Sequence, residues 1–393
     1  MHGFGYQDSV YSLPGVSALG GQAVKTASGE GDGMLKSNWK EVKERYEAFW
    51  RGEPLDRPPV IFDTHHPMYR GVGYDYTKYN EDITRFCRDY REVWVRRADY
   101  PDDTVPCVAP QMGGAIEAAF LAGTIQWGSE MSVLVPHHPL VGCADLQAVQ
   151  FDRTNPYFER VCRELAFLAR SSLGDFGINF EASLSLTTTI SQLRGGTQFM
   201  LDIVDCPDKV RHLAEVVTGA LLAVQAEVDR LNILPDGTAH RWLNYWNPGR
   251  GFWFSEDDAV MISSEMYRDL FLDLDRRLCS ATDIVVAHWH TAGLHLIPVL
   301  LEIPNLRMVQ LSFDPNGPSL ERVLSACCEI ETAGRRICFQ MSYDENLLRM
   351  VFKTLRPESC MFYFNCARDK ADVVCILKFI EHMAREHKKK EWI

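Results

Sequence analysis

Short apolar stretches alternating with segments of helical spacing, eight times over, constrain this 393-residue chain more than any single motif does. The stretches fall at 59–64, 104–110, 176–182, 242–246, 284–288, 307–313, 336–341 and 360–366. Helical spacing marks 39–50, and then 81–97, 155–171, 206–230, 264–279, 320–333, 344–355 and 369–387 between and after them. A helix between two strands is a crossover long enough to bring the second strand back parallel to the first. The pattern therefore predicts an α/β protein with a parallel sheet, and eight units predict closure into a (β/α)8 TIM-type barrel. An open doubly wound sheet is the alternative, but no Gly-x-Gly-x-x-Gly follows the first strand.

Residues 1–34 carry eight glycines without helical periodicity. Residues 1–35 are expected to be a flexible or partner-dependent arm, and 36–393 a single barrel domain. The region 111–152, with Gly113-Gly114, Gly128 and Pro136-His137-His138-Pro139, reads as an inserted loop over one end of the barrel. Asp and Glu outnumber Lys and Arg by 53 to 41, a net charge of −12, which speaks against nucleic acid or an anionic membrane as partner. No apolar run reaches the roughly 18–20 residues of a membrane span. The first residues lack the basic and apolar regions of a secretory signal. Twelve cysteines without a Cys-x-x-Cys pair, most of them in apolar runs, point to reduced thiols and a cytoplasmic protein. A small-molecule substrate is the expected partner, and a homo-oligomer is compatible with all of this.

Barrel chemistry gathers where strands end and βα loops begin. Those positions hold Asp63, His65 and His66; Asn179 and Glu181; Asn244, Tyr245 and Trp246; and His288 and His290. The last three strands add Gln310, Ser312 and Asp314, then Gln340, Ser342 and Tyr343, and finally Asn365 and Cys366. Polar groups at the ends of apolar strands are costly to bury unless paired, so the set as a whole reads as a site. His288 and His290, two residues apart on a strand, point the same way. With Cys366, which ends the last strand, they form a candidate tridentate set. Two imidazoles and a thiolate suit zinc and leave a fourth position open. The alternative keeps the histidines as an acid/base pair or a local hydrogen bond, with Cys366 as packing. Glu181 is a candidate fourth ligand or proton acceptor, and one of His65 and His66 faces the pocket. Asp63, Tyr245, Trp246, Gln310 and Gln340 are candidate pocket-lining residues, and the aromatic run around Trp253 and Phe254 suits a flat or methylated substrate. His137-His138 between prolines reads as loop, and 386–390 as a solvated helix end.

Four segments then carry a resemblance: Glu-Pro-Leu-Asp-Arg-Pro-Pro-Val at 53–60, Gly-Gly-Thr-Gln-Phe-Met-Leu-Asp-Ile-Val-Asp-Cys-Pro-Asp-Lys-Val at 195–210, Ser-Glu-Asp-Asp-Ala-Val-Met-Ile-Ser-Ser-Glu-Met-Tyr at 255–267, and His-Trp-His-Thr-Ala-Gly at 288–293. In their order and spacing the chain resembles the uroporphyrinogen decarboxylase superfamily, nearest to its zinc-dependent cobalamin (corrinoid) methyltransferases. The resemblance implies a (β/α)8 barrel and methyl transfer between a corrinoid, presented by a partner protein, and a small-molecule donor or thiol acceptor. It implies zinc on His288, on Cys366, and on position 290, where the family's methyltransferases carry cysteine. His290 makes that centre harder and more electrophilic. The decarboxylase branch fits poorly, because its arginine-rich segment is replaced by His65-His66-Pro-Met-Tyr-Arg. A metal-free lyase or demethylase using His288 and His290 as acid and base, and a non-catalytic barrel that binds a corrinoid or a partner, are the other two readings.

Overall fold

Strands buried on both faces form the centre of this protein, a computed structural model that describes residues 34–63, 82–128, 132–180, 185–232, 234, 236–314, 316–364, 367 and 369–390. Six of them form one parallel sheet. In sequence, the twelve strands are β1 (Val60–Phe62), β2 (Cys107–Val108), β3 (Thr124–Trp127), β4 (Ser132–Val135), β5 (Gly177–Ile178), β6 (Gly237–His240), β7 (Tyr245–Pro248), β8 (Gly251–Ser255), β9 (Ile284–His290), β10 (Leu306–Ser312), β11 (Arg336–Met341) and β12 (Cys360–Phe364). The main sheet runs in the order β1-β12-β11-β10-β9-β8. β2 and β5 form a separate parallel pair, and β3-β4 and β6-β7 are antiparallel pairs.

The period of two divides each strand between two cores. On β9, Val285, Ala287 and Trp289 pack into the layer shared with the helices. Ile284 and Val286 face the other way, into a cluster with Met308 of β10, Cys338 of β11, Met361 and Tyr363 of β12 and Ile61 of β1. The helix Trp39–Arg51 closes the far end of that cluster with Tyr46, Phe49 and Trp50. Helix starts follow local chemistry: Asn155 caps Pro156–Ser172, Asp82 caps Ile83–Arg97 and Asp344 caps Glu345–Thr354, each side chain accepting from backbone N–H groups of the first turn.

The fold departs from the sequence expectation at three places. First, the ladder of the main sheet ends at β1 and β8, so no continuous hydrogen-bonded barrel closes among the described residues. Beside β1, carboxylates stand where a ladder would run. The Asp103 side chain accepts from Val60 N (2.7 Å) and the Asp103 N–H donates to Val60 O (2.8 Å). Asp103 is itself paired with Arg45 and Arg57, and Asp102 with Lys36 and Arg97. Beside β8, the β6-β7 hairpin is interposed, with Asn179 Nδ2 donating to Ala239 O and Gly251 N to Thr238 Oγ1.

Second, 242–246 is not the fourth parallel strand. It is the turn of the β6-β7 hairpin and the first residues of β7, with Asn244 in the left-handed region at φ 53°, and β8 takes the expected place. Asn tolerates that conformation better than most residues. Third, not every cysteine is a free thiol, since Cys143 and Cys206 are joined in a disulfide. They lie 63 residues apart, and no spacing motif announces the pair.

All but the last two residues of the expected arm, 1–35, lie outside the described residues. Leu35 N donates to Asp175 O, and Lys36 is buried against Asp102. Within 111–152 the chain forms two single-turn helices, Ile116–Ala119 and Asp145–Ala148, and the β3-β4 hairpin. No described helix is long and apolar enough to cross a membrane.

Candidate metal centre

The carboxyl ends of β8, β9, β10 and β11 place Ser255, His288, His290, Gln310, Ser312 and Gln340 side by side. Ser255 is in register with His288, His288 with Gln310, His290 with Ser312, and Ser312 with Gln340. This is the expected same-face placement of the two histidines. Their rings lie 5.1 Å apart at 85°.

Each imidazole is held through Nδ1. His288 Nδ1 donates to Gln310 Oε1, and the Gln310 amide nitrogen in turn donates to Gln340 Oε1 (3.0 Å), which also accepts from Ser312 Oγ (3.0 Å). His290 Nδ1 donates to Asp314 Oδ1 (2.7 Å). Asp314 is fixed by Ala292 N (2.8 Å) and Thr291 Oγ1 (3.1 Å), while its own N–H donates to Thr291 Oγ1 (3.0 Å). With Nδ1 committed as a donor, each ring in its neutral form carries its lone pair on Nε2. Both lie 3.8 Å from one oxygen, Asp257 Oδ1.

Asp257 follows β8 by two residues, and Ser255 Oγ donates to that same Oδ1. Its neighbour Glu256 anchors the turn from below, fully buried and accepting from Leu186 N (2.7 Å) and Thr187 N (2.8 Å) at the start of the helix Leu186–Arg194. Burial pushes the Glu256 carboxyl up, even against those donors.

The electrostatics favour a neutral imidazole. Burial lowers the pKa of His288, outweighing the Gln310 bond and the Asp257 charge that work to raise it. Its ring sits against Trp253 (5.7 Å) and Trp242 (6.2 Å), the latter partly exposed. At Asp314 burial works to raise the pKa, yet the Ala292 N–H and the His290 contact hold it below the usual value. Asp257, His288 and His290 offer three ligand atoms within 4.8 Å of one another. Ligands at about 2.0–2.1 Å from a tetrahedral zinc lie roughly 3.4 Å apart, and the two Nε2 to Oδ1 separations of 3.8 Å are longer than that. Two imidazoles and a carboxylate at this spacing, with hydrogen-bonded Nδ1 atoms behind both rings, are a group that could hold a divalent metal.

The other sequence candidates fall elsewhere. Cys366, Glu181 and His65 lie outside the described residues. Gln310 and Gln340 are in the site, where the Gln310 amide is bonded to His288 and to Gln340. Asp63 ends β1, which lies across the sheet from β9 beyond β12, β11 and β10. Burial raises its pKa to about 7, opposed by Arg241, Arg97 and a bond from Tyr363. Tyr245 and Trp246 are core residues. Tyr245 stacks on His240 at 4.4 Å, and Trp246 packs on Trp39 while its carbonyl accepts from Trp50 Nε1 (2.9 Å). Asp257 is the candidate ligand that sequence reasoning missed. Its signal was its place just past an apolar stretch, Phe252-Trp253-Phe254, hidden when the fourth strand was put at 242–246.

No family model matches the sequence, and no curated protein is significantly similar to it. Among solved structures, the chain is similar in fold to a methyltransferase from Methanosarcina mazei, with a TM-score of 0.57 and 11% identity over 87% of this chain and 98% of that one.

Proposed function

We propose that this chain is a zinc-dependent methyltransferase of the uroporphyrinogen decarboxylase superfamily, moving a methyl group between a corrinoid protein and a small-molecule donor or thiol acceptor. In this reading the fold is a (β/α)8 barrel whose eight parallel strands are β1, β2, β5 and β8 to β12, with the two hairpins as additions. The observation that carries the proposal is the convergence of His288 Nε2 and His290 Nε2 on Asp257 Oδ1 with both Nδ1 atoms occupied. The fold likeness to a methyltransferase supports the reaction class.

His288, His290 and Asp257 would hold the metal, and Cys366, two residues beyond β12, is proposed as a further ligand. Zinc held there would supply Lewis acidity toward a thiol or a methylated heteroatom. The chain's own residues do the rest. Gln310 and Asp314 keep each Nδ1 protonated and each Nε2 free to bind. Ser255 orients the Asp257 carboxylate. Trp253 and Trp242 keep water from the His288 side of the site. Glu181 and His65 are the proposed proton acceptor and pocket histidine, with Asp63 a further pocket residue. The mixed nitrogen and oxygen donors make a harder centre than a thiolate-rich one. They suit activation of an oxygen- or nitrogen-bound methyl donor as well as a thiol.

Methyl transfer to and from methylcobalamin by purified protein, abolished by chelation and restored by zinc, is the expected result. A metal-free reading is favoured by one observation, the depressed pKa of His288, which leaves it a neutral base at pH 7. Turnover that persists in zinc-free, chelator-treated protein would select that reading instead.

A further inference from the structure

The cysteines divide by setting. Among the described residues, Cys87, Cys107, Cys279, Cys327, Cys338 and Cys360 are free and buried. Burial raises the thiol pKa of Cys279, Cys338 and Cys360 well above the ordinary value, which keeps them unreactive. Cys143 and Cys206 differ on every count. They are bonded to each other, they are partly exposed, and their flanks are open, with Val141 81% and Val204 65% exposed.

The bond lies at a seam. Cys143 belongs to the segment that follows the β3-β4 hairpin, and Cys206 joins the helix Gly196–Asp205 to the 25-residue helix Pro207–Leu231. Beside it, Arg194 donates to Leu140 O (3.0 Å) and Val141 O and pairs with Asp202 (2.6 Å). Leu140 N donates to Leu193 O (3.0 Å), and His138 Nδ1 meets Gln192 O (3.0 Å). Segment 138–143 is thus fastened to the carboxyl end of the helix Leu186–Arg194 by polar contacts on one side and by one covalent bond on the other. The amino end of that helix holds Glu256, the residue before Asp257.

We infer that Cys143 and Cys206 form a reversible thiol–disulfide exchange site, a covalent clamp on the 138–143 segment that low-molecular-weight thiols open and the matching disulfides close. In the opening step a thiolate attacks the Cys143 sulfur, the S–S bond breaks, and the electron pair leaves on Cys206. Negative charge forming there sits at the amino end of a 25-residue helix, whose dipole stabilises it, while Arg194 offsets the nearby Asp202 charge. A second thiol resolves the mixed disulfide. The protein gains two thiols, and the two electrons come from two external thiols, which leave as their disulfide. Where disulfides occur in a reducing compartment they are typically transient and redox-sensing, which fits an accessible bond in a chain whose other cysteines are mostly buried.

The test equilibrates the full-length protein across ratios of reduced to oxidised glutathione, alkylates it, and follows the peptide linking Cys143 to Cys206 together with the melting temperature. The expected result is one two-electron transition, with the linked peptide lost and the melting temperature down by about 5 °C, as opening a loop of this length predicts. Cys143→Ser and Cys206→Ser should melt near the reduced wild type and ignore the glutathione ratio. Absence of the linked peptide at every ratio would overturn the inference. So would a wild-type melting temperature that moves no more than that of the two variants.

Discussion

Replacing Asp314 by alanine probes the candidate centre without touching a ligand. Asp314 accepts from His290 Nδ1 at 2.7 Å, and also from Ala292 N and Thr291 Oγ1. Without it, His290 can move its proton to Nε2, the nitrogen needed for the metal, and the turn after β9 loses its anchor. Removing such an outer partner typically costs 10- to 100-fold in metal affinity, or about 1.4–2.7 kcal/mol. Asp314 makes three contacts and its side chain is only 24% exposed, so solvent screening is modest and the loss should sit near the upper end of that range. Asp314→Asn keeps an oxygen acceptor but loses the charge, and should fall near the lower end. Competition against a chromogenic chelator measures both constants, and circular dichroism confirms the fold. A zinc affinity within twofold of wild type in Asp314→Ala would refute the reasoning, because His290 would then not depend on this contact.

Gln310→Ala should weaken zinc binding through His288 by a similar factor, measured in the same way, since the buried Gln310 amide oxygen is the acceptor for His288 Nδ1. Trp246→Ala should cost about 3–5 kcal/mol in denaturant unfolding while leaving metal content intact, because the indole is core packing rather than pocket wall. Asp63 has a folded pKa near 7 against an ordinary value near 4, so the folded state binds the extra proton and the Asp63 contribution to stability declines as pH rises through that window. Asp63→Asn should therefore gain melting temperature over wild type at pH 8 relative to pH 5. A pH-independent difference would contradict the burial argument.

Much of the architecture is legible in the sequence wherever burial is continuous. The stretch 336–341 coincides with β11, and 284–288, 307–313 and 360–366 meet β9, β10 and β12 within two residues, because strands covered on both faces are unbroken apolar runs. The helices Ile83–Arg97, Pro156–Ser172 and Pro207–Leu231 likewise match their apolar spacing to within two residues. The second and third stretches, 104–110 and 176–182, contain β2 and β5, and it is at the fourth that the pattern misleads. β2 and β5 pair over only two residues each, and the aromatic hairpin at 242–246 imitates a strand while Gly249 and Gly251 conceal the real one. The histidine pair was readable because a period of two needs only local geometry. Asp257 was not, since its approach to His288 and His290 depends on the register of β8 against β9. Tyr245 and Trp246, expected at the end of the fourth strand, are buried at the start of β7, because strand-end position alone does not say which end of the sheet a hairpin residue occupies.

Zinc stoichiometry of the purified protein, by elemental analysis beside the variants His288→Ala, His290→Ala, Asp257→Ala and Cys366→Ala, tests the central claim most directly. The account predicts close to one zinc per chain in the wild type, with methyl transfer and bound metal lost together in the histidine and Asp257 variants. Loss in Cys366→Ala as well would establish the proposed fourth ligand. A full complement of zinc in both histidine variants, or a wild type that turns over with none, would contradict it.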